Sequence, residues 1–371
     1  MAGHSHFSPA NVEEHFDFTL EGKKRIFYAF IAGLVALVIG IYLLSKGETG
    51  GHEVAAAGHE AVKAGHEAAA EHVSGGAVSH QAGVEEHYDW TNRVWANVWL
   101  NAVFFTGIAV VGMFFVSLQY LTKAGWSSVM KRVPEAFPKF LYISLPILIL
   151  VFLFKGDVIF HWMHHGVTEV GNENYDKIIA GKSGYLNKNF FLIRLVVFGG
   201  LWILLWNMLR KKSLEEDLNG GTEYFTQLVK IGTAFIVIFG ASSSIFAWDW
   251  VMSIDTHWFS TMFGWYMFAS WHVTTYAVIV LAILYLKDKG LMAYVNENHL
   301  HDLGKFMFAF SIFWTYIWLS QYLLIFYANI PEEAIYYQER FENFKVLFFV
   351  NLFINFVAPF LLLMTRGSKR N

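Results

Sequence analysis

AWDWVMSIDTHWFSTMFGWYMFASWHVTTY, residues 247–276, closes one long apolar segment, turns over within a few residues and opens another. The turn holds Asp249, Asp255 and His257 among Trp248, Trp250 and Trp258, and His272 follows about halfway down the next segment. Carboxylates and imidazoles are costly beside apolar helices of membrane length, so in such places they read as functional by default. What flanks this stretch decides the fold class. Runs of about 20 predominantly apolar residues, enough to cross a bilayer core, recur at 26–44, 98–121, 139–156, 190–209, 230–248, 262–286, 306–328 and 346–365. Segments this long and continuous exclude a barrel, whose strands are short and alternating. The expected fold is an all-α polytopic membrane protein with about eight transmembrane helices.

Composition agrees. The 371 residues are 55% hydrophobic and only 15% charged, against about 25% charged in soluble domains. A net charge of −3 with no dominant basic face argues against a nucleic-acid partner. The absence of cysteine excludes disulfides, cysteine-ligated iron–sulfur clusters and covalent c-type haem within the chain. Any such centre belongs to a partner.

Lys and Arg set the orientation. Seventeen of the 27 flank the spans on one side: residues 23–25, 123–139, 210–230, 287–305 and 366–370. Nine lie on the other side, and Arg194 lies within a span. Both termini are therefore expected in the cytoplasm. The domain reading is a cytoplasmic segment at 1–25, a membrane anchor at 26–44, a periplasmic arm at 45–96 and a seven-helix core at 97–371. The anchor is too long for a signal-peptide core and lacks a small-residue cleavage site, so it is expected to be retained. The arm contains the units GHEVAAA, GHEAVKA and GHEAAAE, which put His52, His59 and His66 on one helical face. A solvated, partly helical arm with repeat-expanded sequence accounts for it. The spacing also suits a metal-binding face.

With that orientation Asp157, His161, Arg194, Asp249, Asp255 and His257 all fall at the periplasmic end, on four separate helix ends or turns. Two readings stay open. One is a site for a polar headgroup, with a carboxylate and an imidazole that accept protons near neutral pH. The other is a set of interfacial residues in which Arg194 is neutralised by one aspartate. No catalytic residue is assigned. In His161-Trp162-Met163-His164-His165 only His161 is expected to face the bundle, and no carboxylates stand at matching spacing, so no metal site is expected. His272 lies near mid-membrane beside Ser270, Thr274 and Thr275. No second histidine reaches its depth, so a proton relay or an interhelical hydrogen bond is expected rather than haem ligation. The loops at the cytoplasmic end show only the Lys and Arg expected of them. Gln119, Gln321, Asn351 and Asn355 are expected to bond between helices, and Ser242-Ser243-Ser244 to form a close-packing face.

The run Trp248-Asp249-Trp250-Val251-Met252-Ser253-Ile254-Asp255-Thr256-His257-Trp258, with eight spans and an N-terminal anchor, resembles the NrfD/PsrC-like integral membrane subunits. It is most like the ActF-type subunit of bacterial alternative complex III. The resemblance covers roughly residues 90–371, and the W-D-W-x-M-S-x-D-x-x-W pattern is its specific part. It implies two four-helix bundles in a bacterial inner membrane and a role in a quinol:cytochrome c or quinol:high-potential-protein oxidoreductase, with no activity of the chain alone. Quinone or menaquinone is the implied substrate. Haem and iron–sulfur groups would reside in multihaem cytochrome c and iron–sulfur partner subunits, beside a sister NrfD-like subunit, membrane lipids and a terminal oxidase. The quinol pocket in such complexes is attributed mainly to the sister subunit, which leaves support or proton conduction for this chain. Larger members carry ten helices, so further spans beyond residue 371 remain open. The competing readings are a structural docking scaffold and a secondary transporter. Against a transporter, only Pro146 and Pro359 lie well inside spans, and no inverted repeat is evident.

Overall fold

The computed structural model describes residues 90–370 and scattered helical positions between Lys24 and Ile39. The remainder of the expected anchor and the His/Glu arm as far as residue 89 lie outside the described residues. The chain divides into two units, 1–95 and 96–371, and the second holds the expected core.

Among the described residues every regular element is helical, as membrane-grade apolar sequence requires when no water is at hand to satisfy the backbone. Seven helices among the described residues are long and apolar enough to cross a bilayer: Thr91–Leu121, Arg132–Ile159, Lys188–Asn219, Thr222–Ile254, Phe263–Asp288, Glu297–Ala328 and Lys345–Leu363. The chain is thus a multi-pass all-α membrane protein.

Helix α1, Trp90–Leu121, begins earlier than the apolar run at 98. It is the innermost: 72% of its most apolar window is buried, against 28–39% for the next five spans and none for the last. A helix apolar on all sides is suited to that position. Gly107 shows how closely α1 is packed, because a Cβ there would lie 2.2 Å from the Trp271 ring. Phe114 and Phe115 meet Phe239, Phe268, Tyr276 and Phe306 from three other helices.

After α1 the chain passes through a one-turn helix, Arg132–Ala136, and a 3-10 turn into α2, Leu141–Ile159. A short helix α3, Lys177–Lys182, precedes α4, Lys188–Asn219. Gly220 and Gly221, at φ 66° and 94°, take backbone values cheap only for glycine, and reverse the chain into α5, Thr222–Trp250. Then follow α6, Phe263–Asp288, α7, Glu297–Ala328, the amphipathic α8, Pro331–Asn343, and α9, Lys345–Leu352, which runs on through a π turn to Leu363. Consecutive helices pack side by side: α4 on α5, α5 on α6, α6 on α7. The Ser242–Ser244 face is a packing face, for Trp202 Nε1 donates to Ser242 Oγ at 3.0 Å and Gly264 lies against Ser244. Small residues admit such close approach between membrane helices.

The Lys/Arg-rich end differs from expectation. Its cations are matched by acids: Lys131 pairs with Glu216 and Asp217 at 2.9 and 2.8 Å, and Arg132 and Arg210 reach the buried Glu135 at 2.7 and 3.0 Å. Arg132 also pairs with Asp217. Burial works against the Lys131 charge, but Asp217 and Glu216 outweigh it and raise its pKa.

Candidate functional site

At the opposite end, α5 terminates in the Trp248-Asp249-Trp250 run. The Val251 N–H returns to Ala247 O, and a 3-10 turn at Met252–Ile254 leads into the loop before α6. Ser253 Oγ donates to Asp249 O at 2.5 Å, and Trp99 Nε1 donates to Trp250 O at 2.9 Å. These bonds occupy carbonyls that a helix end would otherwise leave unpaired.

The centre of the site is a buried ion pair. Arg194, 5% exposed, meets Asp249, 1% exposed. Its Nε donates to Oδ2 at 2.6 Å and its Nη2 to Oδ1 at 3.0 Å, while Nη1 donates to Tyr185 O at 3.1 Å. The forked geometry is the strong form of this interaction. The guanidinium lies 3.9 Å from the Tyr185 ring centre and 4.3 Å from that of Phe190, so two aromatic rings help to hold it. Burial, then the Asp249 charge, push the Tyr185 hydroxyl above its usual pKa.

A second, solvent-facing group lies beyond it. Asp176 caps α3, accepting from Ile178 N at 2.8 Å and Ile179 N at 3.1 Å through Oδ1, while Oδ2 is 2.6 Å from His257 Nε2. Partial burial disfavours the Asp176 charge, but the Ile179 N–H, His257 and the Ile178 N–H outweigh it and lower the pKa. Lys182, at the other end of α3, donates its ammonium to Thr256 O. Burial lowers the Lys182 pKa against the opposing fields of Asp255 and Asp176. Helix α3 therefore fastens the 255–258 turn at both of its ends.

The expected six-residue cluster divides. Arg194 and Asp249 come together. His257 pairs with Asp176. Asp157 and Asp255 are exposed, and the Asp157 contribution is its backbone carbonyl, 2.8 Å from His164 Nε2. His161 does not face the bundle: it is exposed, and the buried residue is Trp162, whose Nε1 reaches Ser253 Oγ at 3.4 Å. The reason lies at Phe160, which leaves the helix with φ −112°, ψ 109°, so helical spacing does not govern 161–165. His161 instead has His164 and His257 as ring neighbours, at 4.8 and 6.4 Å.

His272 is fully buried and, among the described residues, makes no interhelical hydrogen bond. Nδ1 lies 2.7 Å from Phe268 O, one turn back on α6, and Nε2 has no partner among the described residues. The ring stacks on Phe310 at 4.5 Å and meets Phe114 edge-on at 4.8 Å. Among the described residues no group of three or more His, Asp or Glu is arranged to hold a metal ion.

Sequence reasoning missed Asp176, Lys182 and Tyr185. For Asp176 a signal existed, since an aspartate directly before Lys177-Ile178-Ile179 is a helix N-cap pattern. No protein-family model matches the chain, and no curated protein matches it in sequence.

Proposed function

We propose that the chain is a membrane subunit of a respiratory quinol:electron-acceptor oxidoreductase, of the NrfD-like class found in alternative complex III, supporting quinol oxidation, proton conduction or both near the periplasmic face. The observation that carries this reading is the Arg194–Asp249 pair, buried at the end of α5 within the run that resembles that family. A buried charge pair between membrane helices is weak evidence of stability gained, and ionisable groups at such depth mark proton or substrate paths. A proton reaching Asp249 would dissolve the pair and release Arg194, so the site couples protonation to a local rearrangement between α4 and α5. The same proposal includes eight spans in two four-helix bundles, cytoplasmic termini and a bacterial inner membrane. Quinol is the substrate. The haem and iron–sulfur groups that take its electrons belong to a multihaem cytochrome c and an iron–sulfur subunit, assembled with a sister NrfD-like subunit.

The test is purification through a tag on this chain from gently solubilised native membranes. Co-isolation of c-type haem and iron–sulfur absorbance in fixed ratio to the chain is expected. Recovery of the chain alone would overturn the reading.

A docking scaffold is the second reading, and one observation favours it. Both Asp249 oxygens are already engaged by Arg194, while Asp157 and Asp255 stand exposed outside the pair.

A further inference from the structure

A cavity of about 330 Å³ opens between α6, α7, α8 and α9, apart from the Arg194–Asp249 pair. Its size falls within the range of small-molecule sites, roughly 300–1,000 Å³. Gln321 lines it and is 5% exposed. An amide on a cavity wall presents both a donor and an acceptor to whatever occupies the cavity. Asn351 and Tyr266 stand beside it, joined by an Asn351 Nδ2 to Tyr266 hydroxyl contact of 3.4 Å. The site thus offers both donors and acceptors.

The electrostatics select a neutral head. Arg340 and Glu339 both line the cavity, so the two formal charges cancel. The guanidinium is further occupied, 3.3 Å from the Tyr336 ring centre and donating to Tyr336 O at 2.6 Å. The other face is greasy. Phe344 and Leu347 line the cavity while being 57% and 64% exposed, and Leu347 belongs to the most apolar of the described spans. An occupant's chain can leave between them into hydrocarbon.

We infer that this cavity seats the head of a neutral, chain-bearing membrane amphiphile, its oxygens hydrogen-bonded to Gln321 and Asn351. Two sources share that chemistry, a prenylated quinone and an uncharged glycerolipid. The inference stands independently of the respiratory reading.

The test uses the full chain in mild detergent, with native mass spectrometry reading the binding of a decyl-tailed naphthoquinone, of dioleoylglycerol and of anionic phosphatidylglycerol. One neutral molecule per chain is expected, and whichever neutral probe binds identifies the source. Gln321→Leu should weaken that binding about tenfold, the equivalent of one or two lost hydrogen bonds, while the probe-free variant melts no lower than the unmodified chain. Preference for phosphatidylglycerol, absence of neutral binding, binding indifferent to Gln321→Leu, or a lower melting temperature of the probe-free variant would each overturn the inference.

Discussion

Replacing Arg194 by alanine leaves the Asp249 carboxylate, 1% exposed, without the two guanidinium bonds at 2.6 and 3.0 Å that engage it. Breaking a buried pair from one side costs about 3–5 kcal/mol, because the remaining charge stays desolvated. Replacing both partners by apolar residues of similar volume is often neutral or stabilising. Arg194→Ala should therefore lower the folded-to-unfolded ratio roughly a hundredfold to several thousandfold, whereas the Arg194→Leu, Asp249→Leu double variant should recover most of it. Reversible unfolding in mixed SDS and dodecylmaltoside micelles, followed by tryptophan fluorescence, reads all of these. A single Arg194→Ala variant within about 1 kcal/mol of the unmodified chain would refute the reasoning, as would a double variant no better than the single.

Three further outcomes follow from the geometry. His272→Phe should leave stability unchanged or raise it by about 1 kcal/mol, since Nε2 has no partner among the described residues and the surrounding rings are aromatic; a clear loss in the same unfolding assay would show that the imidazole is needed. Gly107→Ala should destabilise by about 1–3 kcal/mol, because the new Cβ would lie 2.2 Å from the Trp271 ring, and Trp271→Leu in the same chain should restore part of the loss. The Asp176 pKa is lowered below its ordinary 3.8 in the folded chain, so its contribution is full above that pH and is lost as pH falls through the folded value. Protection of the 255–258 turn from proteolysis should weaken on that acid limb, and Asp176→Asn should remove that pH dependence.

Much of the architecture was legible because bilayer thickness imposes it. Seven of the expected spans are present among the described residues; the remaining one falls where little of the chain is described. That Arg194 needs an aspartate also followed from the cost of a lone charge in hydrocarbon. Which aspartate it takes did not, since choosing Asp249 over Asp157 or Asp255 depends on how α4 lies against α5. His161 was misplaced because nothing local announces that Phe160 leaves the helix. The His272 ring neighbours include Phe114 of α1 and Phe310 of α7, which local sequence around His272 does not reveal. The acids at the Lys/Arg-rich end escaped notice because orientation is read from Lys and Arg alone, which discards Glu135, Glu216 and Asp217. Helix α8 is too polar to register as a span, yet it supplies Tyr336, Glu339 and Arg340 to the cavity.

The proposed role turns on Asp249. Asparagine at that position keeps one hydrogen-bond acceptor for Arg194 but leaves its charge uncompensated, at a cost in stability, so every rate is read per assembled complex. The decisive measurement is quinol:acceptor turnover and proton release in liposomes reconstituted with the whole complex, normalised to assembled complex, for Asp249→Asn beside the unmodified chain. The account predicts at least a tenfold fall in turnover or a loss of coupled proton release, about 1.4 kcal/mol or more in the barrier. Unmodified values for both would contradict it and leave the chain a scaffold.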